Sequence, residues 1–315
     1  VNSSGFVNRA TAAIWGQFIG DAAALGTHWI YDLEDLNARH PAGIGGFESP
    51  APDHYHAMKQ SGDQTHYGDA ALLLLESVAD QGRFDEADFG RRFVSFFADP
   101  ACRSYRDKAT RGTLENLVAR PGDFQNGADD DQLATVTRLV PVVVAHQPDG
   151  DEGFFDAVRR ATLFAQQNSI AVSCAAAHAE FLRSLLMGLT LPEAFEHARR
   201  SPDVSCDMAD YFEAAHSQQE LDVVTATEFF GQSCPLRQSF PSALQASLKH
   251  ADDFQHAILQ TIKAGGDNAG RAALVGSWLG AAGGMAVIPE AWQQKLSARD
   301  RIATAIQRLM ARVME

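Results

Sequence analysis

The residues best suited to chemistry lie in three short segments far apart in the chain. One is Gly265-Gly266-Asp267-Asn268-Ala269-Gly270-Arg271, which opens a run of small residues ending at Gly284. Paired glycines let a backbone turn sharply and come close to a ligand. The aspartate after them stands where a helix would begin. An Asp there is an ordinary N-cap, and equally a place for a catalytic or metal-binding carboxylate. Ser61-Gly62-Asp63-Gln64-Thr65-His66-Tyr67-Gly68-Asp69 has the same form, a polar, glycine-broken turn running into the apolar stretch Ala70-Ala71-Leu72-Leu73-Leu74-Leu75-Glu76. Near the N-terminus, Gly16-Gln17-Phe18-Ile19-Gly20-Asp21-Ala22 leads into Ala23-Ala24-Leu25-Gly26-Thr27-His28-Trp29-Ile30-Tyr31-Asp32. Two readings are open: three capped core helices, or one site assembled from three segments.

If there is one site, its carboxylates and imidazoles are residue types that can do acid–base work. Asp267 is the candidate base or electrostatic anchor, His66 or His28 the acid, and Asp69, one turn past His66, the residue that could orient it. Arg271, one turn past Asp267, could meet a substrate phosphate or pair with a neighbouring carboxylate. Tyr67 and Trp29 could stack on an adenine- or nicotinamide-like ring, or simply pack. Thr65 and Asn268 complete the polar set. His28 and His66 are either hydrogen-bonded pocket histidines or ligands that favour zinc or another transition metal, since imidazole is a softer donor than carboxylate.

The elements that must position these residues read as helical almost throughout. Apolar residues recur at helical spacing over 6–26, 69–80, 86–98, 132–145, 153–166, 170–189, 192–199, 208–216, 241–249, 251–263, 270–284 and 298–314. Val140-Pro141-Val142-Val143-Val144 fits either a strand or a helix with Pro in its first turn. Two long loops, 38–62 (rich in Gly, Pro and His) and 119–130 (with Asp129-Asp130-Asp131), are of the kind that shapes binding sites. The acidic triplet reads as a solvated loop or helix start. No linker divides the chain, so the pattern predicts an all-α, compact, single-domain orthogonal bundle of many helices over 1–315.

Composition bounds the function. A net charge of −14 argues against nucleic acid or an anionic membrane as partner. No apolar run reaches the roughly 20 residues that span a bilayer, and Val1-Asn2-Ser3-Ser4-Gly5 carries no signal-peptide pattern. Cys102, Cys174, Cys206 and Cys234 form no CxxC pair, which speaks against a structural zinc site and fits a reducing, cytoplasmic setting. Cys174 reads as a core thiol. The chain has no HExxH, GxSxG or P-loop signature, and Gly43-Ile44-Gly45-Gly46 follows no strand.

Taken together, the three segments resemble the ADP-ribosylglycohydrolase family. Gly20-Asp21-Ala22, Leu75-Glu76-Ser77 and Gly265-Gly266-Asp267 match its anchors in order, and Thr137-Arg138-Leu139-Val140-Pro141 is similar to its Met-Arg-x-x-Pro stretch. The resemblance implies an all-α fold, an ADP-ribosyl-type or other small-molecule substrate, and two magnesium ions held by the acidic residues and threonines of a Thr-Asp-Asp-Thr and a Gly-Gly-Asp-Thr-Asp-Thr motif. Here Thr65-His66-Tyr67-Gly68 occupies the first motif and Asp267-Asn268-Ala269-Gly270 the end of the second, while His28 stands where the family has a Glu. Thr65 and Asp267 remain as metal-ligand candidates. Magnesium prefers several hard oxygens, so a complete two-ion site is not expected, and the chain is left with an altered metal set or none. His28-Trp29-Ile30-Tyr31-Asp32 resembles a divergent branch of the family that includes the J-type lens crystallins of jellyfish. The resemblance implies two functions: hydrolysis of a ribosyl N- or O-glycosidic bond, which needs an acid and a base, or a metal-bound water, at an oxocarbenium-like centre, or a catalytically inactive binding or structural protein on the same scaffold.

Overall fold

The computed structural model describes residues 3–314. Among them, sixteen α-helices and three 3₁₀ turns are joined by loops, and β-pairing is confined to isolated bridges. In chain order the helices are α1 Ser3–Ala24, α2 Leu33–Arg39, α3 His66–Gln81, α4 Glu86–Phe97, α5 Lys108–Ala119, α6 Val140–His146, α7 Asp151–Leu163 and α8 Ser169–Leu186. There follow α9 Leu191–Arg200, α10 Cys206–Ser217, α11 Val223–Phe230, α12 Leu236–Lys249, α13 Phe254–Lys263, α14 Asn268–Gly283, α15 Glu290–Lys295 and α16 Arg299–Val313. One continuous apolar cluster runs from Phe6 to Met310, so the helices share a single core. No described helix is long and apolar enough to cross a membrane.

Most helical stretches read from the sequence are present, with shifted ends. The ambiguous Val140–Val144 segment is helix α6, with Pro141 in its first turn where a missing N–H costs nothing. The stretch expected over 132–145 is helical only from Val136, as a 3₁₀ turn and then α6. Ahead of it, Gln132 bridges to Pro235. Helices α2, α5, α11 and α15 lie outside the expected stretches. The acidic triplet is structural: Asp129 accepts from Asn168, Asp130 from Gln166, and Asp131 pairs with Arg237.

The central feature is the antiparallel contact of α1 with α14. Helix α14 is buried on all sides from Asn268 to Ala281, as expected of a helix apolar all round. Its backbone touches that of α1: a Cβ added at Gly16 would lie 2.0 Å from the Gly276 carbonyl oxygen, and one at Gly276 would lie 2.1 Å from that of Gly16. Only glycine permits this approach. It places the end of α1, which leads to His28, beside the start of α14, which follows Asp267. Helix α3 joins them through Asp21, buried within α1. The carboxylate of Asp21 accepts from the Thr65 N–H at 2.7 Å and from the Thr65 hydroxyl at 2.5 Å. The three sequence-distant segments therefore meet at one corner.

Candidate functional site

Asp267 stands in the N-cap position of α14, yet its side chain makes no capping hydrogen bond. Gly265 (φ +65°) and Gly266 (φ +62°) turn the chain, and the corner is pinned by main-chain bonds. The Trp29 N–H donates to Gly266 O at 2.8 Å, the Gly266 N–H to Ile30 O at 2.7 Å, and the Asp267 N–H to Gln232 O at 2.8 Å. The carboxylate is fully buried. Its Oδ2 accepts the Tyr67 hydroxyl at 2.8 Å, and its Oδ1, which has no hydrogen-bond partner among the described residues, lies 3.5 Å from His28 Nδ1. Burial raises the Asp267 pKa above the ordinary carboxyl range, opposed by Cys234, Tyr67, Arg271 and the Gly270 N–H in the first turn of α14. Burial, and next the Asp267 charge, also hold the Tyr67 phenol well above its usual pKa.

Beside Asp267 lies a group of three buried histidines: His28 just after the 3₁₀ turn Leu25–Thr27, His56 on the loop before α3, and His66 as the first residue of α3. One potential ligand atom from each lies within 4.8 Å of the others. The ring centroids form a nearly equilateral triangle, 5.7 Å from His28 to His56, 5.9 Å from His28 to His66 and 5.7 Å from His56 to His66. His54 positions His56 against His28. The His56 N–H donates to His54 Nδ1 at 3.0 Å, which leaves the proton on His54 Nε2, 2.6 Å from the His28 carbonyl oxygen. His28 Nε2 and both ring nitrogens of His56 and His66 lack hydrogen-bond partners among the described residues. Burial drives all three imidazoles to lower pKa, His66 to about 3, with His56 foremost among the neighbours of His28 and Lys59 nearest in effect on His66. They are neutral at neutral pH; His28 Nδ1 accepts the Ala269 N–H at 3.4 Å, while the ring nitrogens of His56 and His66 have no hydrogen bond that would keep them from an electrophile.

Trp29 covers this group. Its ring centroid lies 4.3 Å from His28, 5.5 Å from His56 and 5.1 Å from His66, with Tyr55 and Tyr105 edge-on against it. Trp29 has φ +63°, a conformation costly for a bulky side chain and kept where its surroundings impose it.

The other expected site residues fall out differently. The Thr65 hydroxyl donates to Asp21 and accepts the Tyr67 N–H at 3.2 Å, so it caps α3 and is not free to hold a metal. Asp69 does not orient His66: its carboxylate meets Lys59 at 2.5 Å, and the carboxylate facing His66 is Asp107, 3.6 Å from Nε2. A neutral His66 is also unsuited to act as an acid. Arg271 is fully buried and clamps the corner by donating to Gly265 O and, at 3.0 Å, to Gln232 O, so it is closed to a substrate phosphate. Asn268 donates to Thr27 O, Thr27 Oγ1 and Ile262 O, a structural tie. Glu76 lies apart, paired with Arg301 at 2.8 Å. Sequence reasoning missed His54, His56, Asp107 and Cys234, whose thiol lies beside Asp267, Trp29 and Tyr31. The histidine-rich loop 38–62 was the available signal for the first two.

The donor set does not suit a magnesium pair. Near-octahedral magnesium sites draw on several oxygen ligands, whereas here Asp267 and Asp107 each stand beside a neutral imidazole and Asp21 is taken up by Thr65.

The chain is similar over nearly its whole length to two proteins of Tripedalia cystophora. Crystallin J1A is 25% identical over 320 residues, covering 96% of each chain, and crystallin J1B is 24% identical over 325 residues, covering 97% of this chain and 98% of the other. An uncharacterized protein of Archaeoglobus fulgidus is 23% identical over 308 residues, covering 96% and 97%. A solved structure described as an ADP-ribosylglycohydrolase-related protein complex shares the fold, with a TM-score of 0.71 at 21% identity over 99% of this chain and 100% of that one. Residues 2–315 match ADP-ribosylglycohydrolase, and the chain belongs to that family.

Proposed function

We propose that this protein hydrolyses a ribosyl N- or O-glycosidic bond of an ADP-ribosyl-type substrate at the Asp267 corner. The observation that carries this reading is the disposition of Asp267. Its carboxylate is buried, is held by one oxygen to Tyr67 and has the other oxygen toward His28 without a hydrogen-bond partner. Such a carboxyl, with its pKa raised by burial, is suited to hand a proton to a departing group or to take one from water. The neutral imidazole of His28 beside it is a proton acceptor. In this role Asp267 takes the acid–base part and His66 does not act as an acid. Trp29, Tyr55 and Tyr105 cover the corner, so substrate entry requires displacement of the loop that carries Tyr55 and His56.

Turnover of a panel of ADP-ribosyl N- and O-glycosides, measured for the wild type and Asp267→Asn, tests this reading. Removal of an acid–base group is expected to lower kcat about 100-fold or more. Absence of turnover across the panel would overturn it.

One observation favours the second reading, a non-catalytic structural protein on the same scaffold: His28 and Asp267 have no solvent exposure. Titration with ADP-ribose separates the two. Saturable heat abolished by Asp267→Asn supports a working pocket, and absence of heat supports the structural role.

A further inference from the structure

We propose that His28, His56 and His66 bind one divalent transition-metal ion of the zinc class, a site distinct in ligand chemistry from a magnesium pair. The inference stands independently of whether the chain hydrolyses anything. Its basis is a set of buried donors with nothing to bind. His28 Nε2 and both nitrogens of His56 and of His66 lack hydrogen-bond partners in a region closed to solvent. A buried polar atom left unpaired is destabilising, and one ion would satisfy three of them at once. Neutral imidazole is a preferred donor for zinc, copper, iron and nickel, and a poor one for magnesium.

The geometry fits a single ion. Three nitrogens at about 2.0–2.1 Å around tetrahedral zinc lie roughly 3.4 Å from one another. The three ligand atoms here lie within 4.8 Å, so modest inward rotation closes the site. The triangle of ring centroids, 5.7, 5.9 and 5.7 Å on a side, already has the near-threefold form that convergence on one point requires.

Carboxylates stand behind two of the rings. Asp267 Oδ1 lies 3.5 Å from His28 Nδ1, and Asp107 Oδ2 lies 3.6 Å from His66 Nε2. A metal-bound imidazole characteristically directs its other nitrogen at such a carboxylate, which fixes the tautomer and strengthens the ligand; for His28 this means exchanging the Ala269 N–H that its Nδ1 accepts at 3.4 Å for a bond to Asp267. The arrangement leaves His28 Nε2 and His66 Nδ1 for the ion. His56 comes from the loop, held by the His54 bridge to the His28 main chain. Trp29 closes the site with an aromatic face, a favourable neighbour for a cation.

The test is metal retention by the whole chain. The protein is stripped with a chelator, equilibrated with Zn²⁺ or Co²⁺, separated from free ion and assayed by elemental analysis, with the Co²⁺ form examined for visible d–d absorption. One ion per chain is expected, together with a metal-dependent rise in Tm. His56→Ala, whose ring makes no hydrogen bond to lose, should keep the fold and weaken metal affinity at least about 10–100-fold; His56→Gln serves if the alanine variant does not fold. Asp107→Asn should weaken it by a smaller factor. His250 and His256, with ring centroids 4.5 Å apart and outside the site, are the control, and the double variant His250→Ala, His256→Ala should bind as the wild type does. Failure of the wild type to retain an ion, or retention undiminished in the His56 variants, would overturn the proposal.

Discussion

Two helix starts in this protein look alike in sequence and act differently. Thr65 and Asp267 each follow a glycine-containing polar turn, and each occupies the N-cap position of a buried helix. The Thr65 side chain serves its helix: it accepts the Tyr67 N–H and donates to Asp21. The Asp267 side chain caps nothing and is directed at Tyr67 and His28. A buried carboxylate costs desolvation, and Asp267 is compensated chiefly from outside its own helix, by the Tyr67 hydroxyl. The contrast supports the proposed role of Asp267 in chemistry, with Thr65 serving structure.

The comparison can be pressed hardest through Asp21, the partner of Thr65. Burial raises the Asp21 pKa from 3.8 to about 7, opposed by the Thr65 hydrogen bonds. Asp69 and Lys59 are the charged neighbours. The folded state therefore holds a proton that the unfolded chain releases between about pH 4 and pH 7. Stability from this group is greatest below pH 4, falls as pH rises to 7 and is level above. A shift of about three units is worth about 4 kcal/mol. Chemical denaturation of the wild type and Asp21→Asn from pH 4 to pH 8 should show this as a difference: the variant gains on the wild type across that window and keeps its advantage above it.

The helix pair that brings the two starts together gives the next effect. Gly276→Ala puts a Cβ against the Gly16 carbonyl and should cost about 3 kcal/mol, as overpacking of a tight contact does. Both corners should loosen together, visible as faster hydrogen exchange at Trp29, Gly266 and Asp267.

Thr65→Ala comes third. It removes a cap and leaves an Asp21 oxygen without its hydroxyl donor, for a loss of about 2 kcal/mol in denaturant unfolding. Glu76→Gln is last. It weakens a partly exposed pair with Arg301 by less than about 1 kcal/mol and should leave turnover and ligand binding unchanged, since Glu76 lies away from the corner.

Much of the fold was legible because helical periodicity is local. The run from Asn268 to Ala281 is apolar and small all round, and a helix of that kind has to be buried. The small residues of α1 and α14 announced close packing, and that packing brings Asp267 to His28. Helices α2 and α5 escaped because short polar segments owe their form to caps, Asp32 and Asp107, more than to an apolar stripe. The site was legible in its fixed corners: His28, Trp29, His66, Tyr67 and Asp267 were expected together and lie together. His56 and Asp107 come from connections whose paths only the tertiary packing determines. Arg271 was misplaced in function because a residue one turn past Asp267 points toward its neighbours as readily as toward a ligand. Here the carbonyls of Gly265 and Gln232 claim its guanidinium.

The most direct test compares Asp267→Asn with the wild type in two readings on the same samples, denaturant stability and turnover of an ADP-ribosyl glycoside. Asparagine keeps an oxygen for the Tyr67 hydroxyl and removes the ionisable group. If Asp267 is retained for chemistry, turnover falls about 100-fold or more while stability stays within about 1 kcal/mol. Turnover that is undiminished, with a stability loss of the size that Thr65→Ala produces, would show Asp267 to be a structural residue of its helix and would contradict the account.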